Sequence, residues 1–248
     1  MNGHRVAGAA LAGLLAPGLA ACESSQTKSA RLAKSGAKAG VVKTVSAGAK
    51  NASVKVGKTT ILRSESATTV VVELTNTGAD GQVAVPIQID VKDAKGVSVY
   101  KNDVDGLQPS LQQLALLPRG EPTFWVNDQV TAATPAKRVN VDVGQAGGKA
   151  PPQLPEIRLE ATKLERDESG AMVSGVVKNL SKLPQINMPI YAVVRRGGKV
   201  VAAGRALVEK LNPEPQAKPT TFSIFLIGDP AGGKPDVRPY PTVLKEGS

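Results

Sequence analysis

From residue 68 onward, apolar side chains recur at every second position, and this alternation limits what the chain can fold into. Val70, Val72 and Leu74 fall on one face of their segment, while Val71, Glu73 and Thr75 take the other. Farther on, Val83, Val85, Ile87, Ile89 and Val91 alternate with Gln82, Ala84, Gln88 and Asp90. A period of two suits a strand with one buried face and does not suit a helix. Residues 53–56 open a first strand, Phe124 and Val126 mark a later one, and Val139, Val141 and Val143 form the last. Only residues 111–117 offer a turn or a short helical link. About seven short strands in about 95 residues predict a β-sandwich.

A Gly/Pro-rich stretch at residues 145–154 separates this unit from a second one of the same grammar. Thr75-Asn76 and Lys178-Asn179 lie 103 positions apart, and the same offset carries Pro86-Ile87 onto Pro189-Ile190. Asp93-Ala94-Lys95-Gly96 faces Arg196-Gly197-Gly198-Lys199 as the next hairpin turn. Leu117-Pro118 corresponds to Leu211-Asn212-Pro213, and Thr123-Phe124-Trp125-Val126 to Thr221-Phe222-Ser223-Ile224. The common order points to an internal repeat. Asn76 and Asn179 are expected to close strands through their own side chains and to tolerate a left-handed backbone. Pro86 and Pro189, lacking a donor, are expected at an edge or a bulge.

Both units resemble the bacterial extracellular β-sandwich family called the FxLYD domain. The second carries Gly175-Val176-Val177-Lys178-Asn179, Pro189-Ile190-Tyr191-Ala192-Val193-Val194 and Phe222-Ser223-Ile224; the first carries Asp93, Gly96 and Phe124. The second departs at Arg196, where the family has aspartate, and at Pro213, which no glycine follows. In the first, Arg119 separates Pro118 from Gly120, and the tyrosine expected near Gln88 is missing. The resemblance implies a tandem immunoglobulin-like all-β fold and no general enzymatic role.

The first 21 residues hold one basic side chain, Arg5, then an Ala/Leu/Gly-rich apolar run interrupted by Pro17. That run is too short for a membrane span and has the pattern of a signal peptide. Leu19-Ala20-Ala21-Cys22 resembles the lipobox of bacterial lipoproteins. The resemblance implies cleavage before Cys22 and a diacylglycerol on its sulfur. Two acyl chains anchor a protein where one does not. The expected organisation is a signal peptide at 1–21, a lipid-anchored disordered tether at 22–52, a first sandwich at 53–144, a linker at 145–154 and a second sandwich at 155–248.

The formal charge is +10, but residues 22–60 hold eight basic side chains against Glu23 alone. The two units are nearly balanced, so the charge points to a tether near anionic lipid headgroups rather than to a nucleic-acid surface. The only His is His4 and the only Cys is Cys22. The two units therefore cannot form a Ser-His-Asp triad, a cysteine nucleophile, a Cys/His zinc site or a disulfide.

Weaker motifs dissolve on inspection. Gly57-Lys58-Thr59 lacks the glycine that a phosphate loop needs at position 52, where Ala52 stands. Asp103-Val104-Asp105-Gly106 falls out of register with a calcium loop, because Lys101 and Gln112 occupy acidic ligand positions. Glu165, Asp167 and Glu168 read as a solvated hairpin, and residues 228–236 as a Gly-rich contact loop with nest potential. The sequence thus predicts no catalytic residues, no cofactor and no metal, with Cys22 as the single site residue. The leading expectation is a lipid-anchored module on the outer face of the cytoplasmic membrane that meets an envelope protein. The alternative is a binder of a small polar ligand or envelope glycan, with Trp125, Tyr100, Tyr191 and Tyr240 as the candidate stacking residues. A carboxylate hydrolase ranks last.

Overall fold

A computed structural model describes residues 44–132, 134–167, 170–215 and 219–245. The expected signal peptide, Cys22 and most of the expected tether lie outside these residues. The chain is all-β. The first half holds β1 (Val54–Arg63), β2 (Thr68–Asn76), β3 (Gln82–Lys92), β4 (Ser98–Lys101), a 3-10 turn at Pro109–Leu111, β5 (Gln113–Leu117), β6 (Pro122–Asn127) and β7 (Arg138–Val143). A two-residue strand follows, β8 (Gly148–Lys149). The second half holds β9 (Ile157–Asp167), β10 (Gly170–Asn179), β11 (Gln185–Arg196), β12 (Lys199–Leu211), β13 (Thr220–Gly228) and β14 (Lys234–Pro239).

The two halves repeat one topology. In the first, β1-β2-β6 form one sheet, while β3 pairs with β4 and β5 on one side and with β7 and β8 on the other. In the second, β9-β10-β13 matches β1-β2-β6, and β12-β11-β14 matches the sheet around β3. Pairing of Ala202 with Gly228 and Ala203 with Ile227 joins the two layers of the second half into one continuous six-stranded sheet. β9 and β14 at its two ends also touch, so this sheet is nearly closed into a barrel.

The strand-ending asparagines do the same work in each half. Asn76 Oδ1 accepts from the Gly78 N–H at 2.9 Å, and its Nδ2 donates to the Asp80 carbonyl at 2.8 Å. Asn179 Oδ1 accepts from the Ser181 N–H at 3.1 Å, and its Nδ2 donates to the Leu183 carbonyl at 2.7 Å. Neither takes the expected left-handed backbone. Among the described non-glycine residues that conformation belongs to Ala161 and to Ala84 and Asn187, the last two lying 103 positions apart and sharing a φ of 49°.

Pro86 and Pro189 lie in the central strands β3 and β11, not at an edge, and each follows one of these left-handed residues by two positions. The carbonyl of Pro86 accepts from Gly144 at 3.0 Å and that of Pro189 from Tyr240 at 2.9 Å. A residue's N–H and C=O point to the same side of a strand. The missing donors therefore face the side where β7 and β14 end their ladders, and an interior ladder bond is not lost.

One sequence correspondence shifts by a residue. Trp125 stands opposite Val72, and Phe222 stands opposite Gly175, which is 103 positions beyond Val72. Trp125, not Phe124, is therefore the counterpart of Phe222. Phe124 faces the other way, towards the second half.

Residues that flank the expected sandwiches also take part in the fold. Residues 49–51, at the end of the expected tether, are held in place: the Asn51 N–H donates to Val143 O at 2.9 Å, and the Gln145 N–H to Ala49 O at 3.1 Å. Ala47 and Asn51 are buried. The expected linker supplies β8, and the Ala150 N–H donates to Gly81 O at 2.8 Å. The core of the first half extends into the second. Tyr191, Val193, Ala203, Ile227 and Tyr240 belong to the same buried cluster as Val71, Phe124 and Val126. Burying one large apolar side chain contributes about 1.5–3 kcal/mol, so this shared layer binds the halves together. A second cluster, including Val173, Ile190, Val194, Phe222 and Ile224, fills the interior of the second half.

Candidate functional site

The densest collection of buried polar groups lies in the joint between the halves. Arg205 on β12 and Asp128 just after β6 are almost fully buried, with side chains 1% and 2% exposed and Nε 3.2 Å from Oδ1. The Arg205 Nη1 donates to Ser110 Oγ at 2.9 Å. The Ser110 carbonyl accepts from Trp125 Nε1 at 2.9 Å and from the Tyr191 hydroxyl at 3.0 Å. Ser110 sits on a loop that the second half lacks. Where β12 runs on through Arg205, the first half leaves the ladder at Asn102, the residue 103 positions earlier. The side chain of Asn102 replaces the missing strand, accepting from the Ile89 N–H at 2.8 Å and donating to Ile87 O at 2.8 Å. The departing loop then returns as a wedge, carrying Ser110 into the joint.

Further contacts extend the joint outward. Arg195 donates to Glu73 at 2.7 Å, with both side chains about one-third exposed. Arg238 donates to the Pro122 carbonyl at 2.7 Å and lies over the Phe124 ring, 5.1 Å from its centroid. Its hydrogen bond to Asp236 raises its pKa further. The Tyr240 hydroxyl donates to Phe124 O at 3.2 Å. Burial pushes the Tyr100 phenol up to about 12, and hydrogen bonding to Asn127 opposes the shift. Burial likewise raises Tyr191 and Tyr240 well above the ordinary phenol range. These groups satisfy one another. They are neutral phenols and a compensated ion pair that hold two sheet faces in register.

Trp125, Tyr191 and Tyr240 are thus consumed inside the molecule, and Tyr100 is half-buried beside Asn127. Trp125, Tyr191 and Tyr240 offer no open face to a sugar. Cys22, the single expected site residue, lies outside the described residues. Gly57, Lys58 and Thr59 lie in β1, where the phosphate-loop likeness has no loop to serve. Asp105 accepts from the Thr44 N–H at 2.8 Å, and Glu165 accepts from the Ser174 hydroxyl at 3.0 Å. Among the described residues, no group of three or more His, Cys, Asp or Glu side chains is placed to hold a metal ion. The Gly-rich loop after β13 fills its own nest. Asp229 accepts from the Ala231 N–H at 3.1 Å and lies 3.6 Å from Arg196 and 3.8 Å from Arg166.

Two openings among the described residues are the roomiest. A cleft of about 790 Å³ lies between the β1–β2 turn and the loop after β6, with Arg63, Glu65 and Val130 among its lining. A groove of about 580 Å³ runs over β5, β3 and β8, below residues 242–245. Sequence reading missed the joint because its partners lie far apart along the chain and no periodicity marks them. The one available signal was Arg205 itself, a charge in the apolar run of β12. No family model matches the chain, and no curated protein is significantly similar to it.

Proposed function

We propose that this is a non-enzymatic, lipid-anchored cell-envelope protein. It holds two immunoglobulin-like sandwiches, fixed to each other, off the outer face of the cytoplasmic membrane for contact with an envelope protein. The observation that carries the reading is the joint. Its buried charges and aromatic rings are spent on fixing one half against the other, as suits a rigid presenting body. The lipobox-like Leu19-Ala20-Ala21-Cys22 and the basic stretch that follows supply the anchor, with anionic headgroups as a secondary contact. The reading requires neither a cofactor nor a nucleic acid.

The test is membrane fractionation with mass spectrometry of the mature N-terminus, wild type against Cys22→Ala. Wild-type protein is expected in the membrane fraction, beginning at a diacylated Cys22, and the variant as unprocessed or released chain. Wild-type protein that keeps residues 1–21 and carries no lipid defeats the proposal. A second reading, a small polar ligand, draws on the cleft beside Arg63 and Glu65, whose lining mixes charged side chains of both signs with Ser, Thr and a few apolar residues such as Val130. Loss of sugar-stacking surfaces to the joint weighs against its glycan form.

A further inference from the structure

Residues 44–51 enter the fold as a strap across the end of β7. Ala47 is buried, and a Cβ at Gly144 would collide with its carbonyl, so only glycine there leaves the strap its path. At the inner end of the strap, Asn51 Nδ2 donates to Gly144 O at 3.2 Å and Gln145 Nε2 to Lys50 O at 2.7 Å. At the outer end Thr44 reaches Asp105. The Thr44 N–H donates to Asp105 Oδ1 at 2.8 Å, and the Thr44 hydroxyl donates to the same oxygen. Among the described residues the second half has no such arrangement. The positions 103 further on, 147–154, run back along the first half, where Gly148 and Lys149 pair with Val83 and Gln82.

Asp105 belongs to the loop that carries the wedge. Gln112 Nε2 donates to the carbonyls of Asn102 at 3.1 Å and Val104 at 3.0 Å, and Asn102 Nδ2 donates to Leu111 O at 2.7 Å. The two ends of the loop are thus laced together, and Asp105 stands one residue beyond the lacing. From the same loop Ser110 enters the joint, where Trp125, Tyr191 and Arg205 bond to it. Covalent links and hydrogen bonds therefore run without a break from Thr44 through Asp105, Val104 and Gln112 to Ser110. A loop outside the ladders depends on contacts of this kind for its order.

We infer that the Thr44–Asp105 contact is a clasp that holds the wedge in the joint, so that the entry of the chain governs how firmly the two halves are fixed. The clasp deepens the rigid-body reading and rests on it, but does not depend on a lipid at Cys22. A carboxylate that takes two donors from one residue binds more strongly than a neutral acceptor does. Its place in the chain gives it leverage. Whatever draws on the segment ahead of residue 44 meets the clasp before it meets β1, and the clasp bears on the loop that carries Ser110.

The test is amide hydrogen exchange by NMR on the full chain, comparing wild type with Asp105→Ala, Thr44→Pro and the double variant. Asp105→Ala deletes the acceptor, and Thr44→Pro deletes both donors. The reporters are the N–H groups of Leu111 and Gln112, which donate to Gln108 O at 2.8 Å and Pro109 O at 2.9 Å. Exchange is read at low urea, where it reports local opening rather than global unfolding. Each single variant is expected to speed both reporters about tenfold, the range of a hydrogen bond to a charged group. The double variant is expected to exchange no faster than the faster single, because all three remove one contact. Unchanged exchange in the single variants overturns the inference, and so does an additive double variant. Acceleration confined to urea concentrations that unfold the whole chain also overturns it, since the contact then adds only to global stability. None of these outcomes bears on Cys22, so the anchor stands or falls by the fractionation experiment.

Discussion

Arg205 and Asp128 are 77 positions apart in sequence, yet the Nε of one stands 3.2 Å from the Oδ1 of the other inside a buried joint. Breaking a buried pair from one side strands the other charge, at a cost of about 3–5 kcal/mol. Asp128→Ala should therefore lower stability by about that much. Replacing both partners with apolar residues of similar volume should cost far less, since no charge is then stranded. Urea unfolding followed by the fluorescence of Trp125, the only tryptophan and itself part of the joint, reads both variants. Equal losses in the single and double variants would show that the ion pair does not hold the halves.

The three tyrosines give the protein an alkaline limit. All three are raised above the ordinary phenol value, Tyr100 to about 12 and the other two further. A folded pKa above the unfolded value of about 10 means that the native state binds the proton more tightly. The resulting stability is complete below about pH 10 and is lost as pH rises through the folded values. Tyrosinate absorbance should stay low in native protein past about pH 10 and then rise together with unfolding. A smooth titration of one phenol near its ordinary value, with the fold intact, would place that ring in water.

Much of this architecture was legible in the sequence, because alternation reports which face of a strand is buried. The paired strand-ending asparagines were readable because their bonds are local, to residues two and four positions on. Alternation could not say what covers the outer face of a strand. Val71 and Tyr191 lie on faces that a lone sandwich would leave to solvent, and both are fully buried because the halves stack. The wedge carrying Ser110 was invisible for a related reason. A loop without periodicity gives no sign that it will be pinned by Trp125, Tyr191 and Arg205. The one-residue shift that pairs Trp125 with Phe222 arose because adjacent aromatic and β-branched residues satisfy either face.

Asn76 and Asn179 allow the repeat to be tested by matched substitutions. Asn76 Nδ2 reaches Asp80 O and Leu117 O, and Asn179 Nδ2 reaches Leu183 O and Leu211 O. Removing either side chain leaves buried carbonyls short of a donor, at about 1–3 kcal/mol. Asn76→Ala and Asn179→Ala should each lower the thermal midpoint, and by similar amounts. Asp is a harsher probe than Ala: it keeps the acceptor for the Gly78 or Ser181 N–H but turns a buried carboxylate towards the carbonyls that the amide served, and should cost more. Variants in one half that leave the midpoint unchanged would break the equivalence.

Gly175 tests how the two copies fill one slot in different ways. Opposite it lies Phe222, and a Cβ on Gly175 would stand 2.8 Å from two ring carbons and 3.1 Å from the Glu160 carbonyl. In the first half the same slot holds Val72 opposite Trp125, so that backbone spacing accepts a branched side chain. Space in the second half has gone instead to the Phe222 ring. Gly175→Ala should therefore cost about 1–3 kcal/mol through overpacking. Phe222→Leu in the same chain should recover part of that loss, because a smaller side chain frees the volume while keeping the slot apolar. The double variant should then unfold at a higher urea concentration than additivity of the two singles allows. Strict additivity would mean that the Glu160 backbone, not the Phe222 ring, sets the limit at this position.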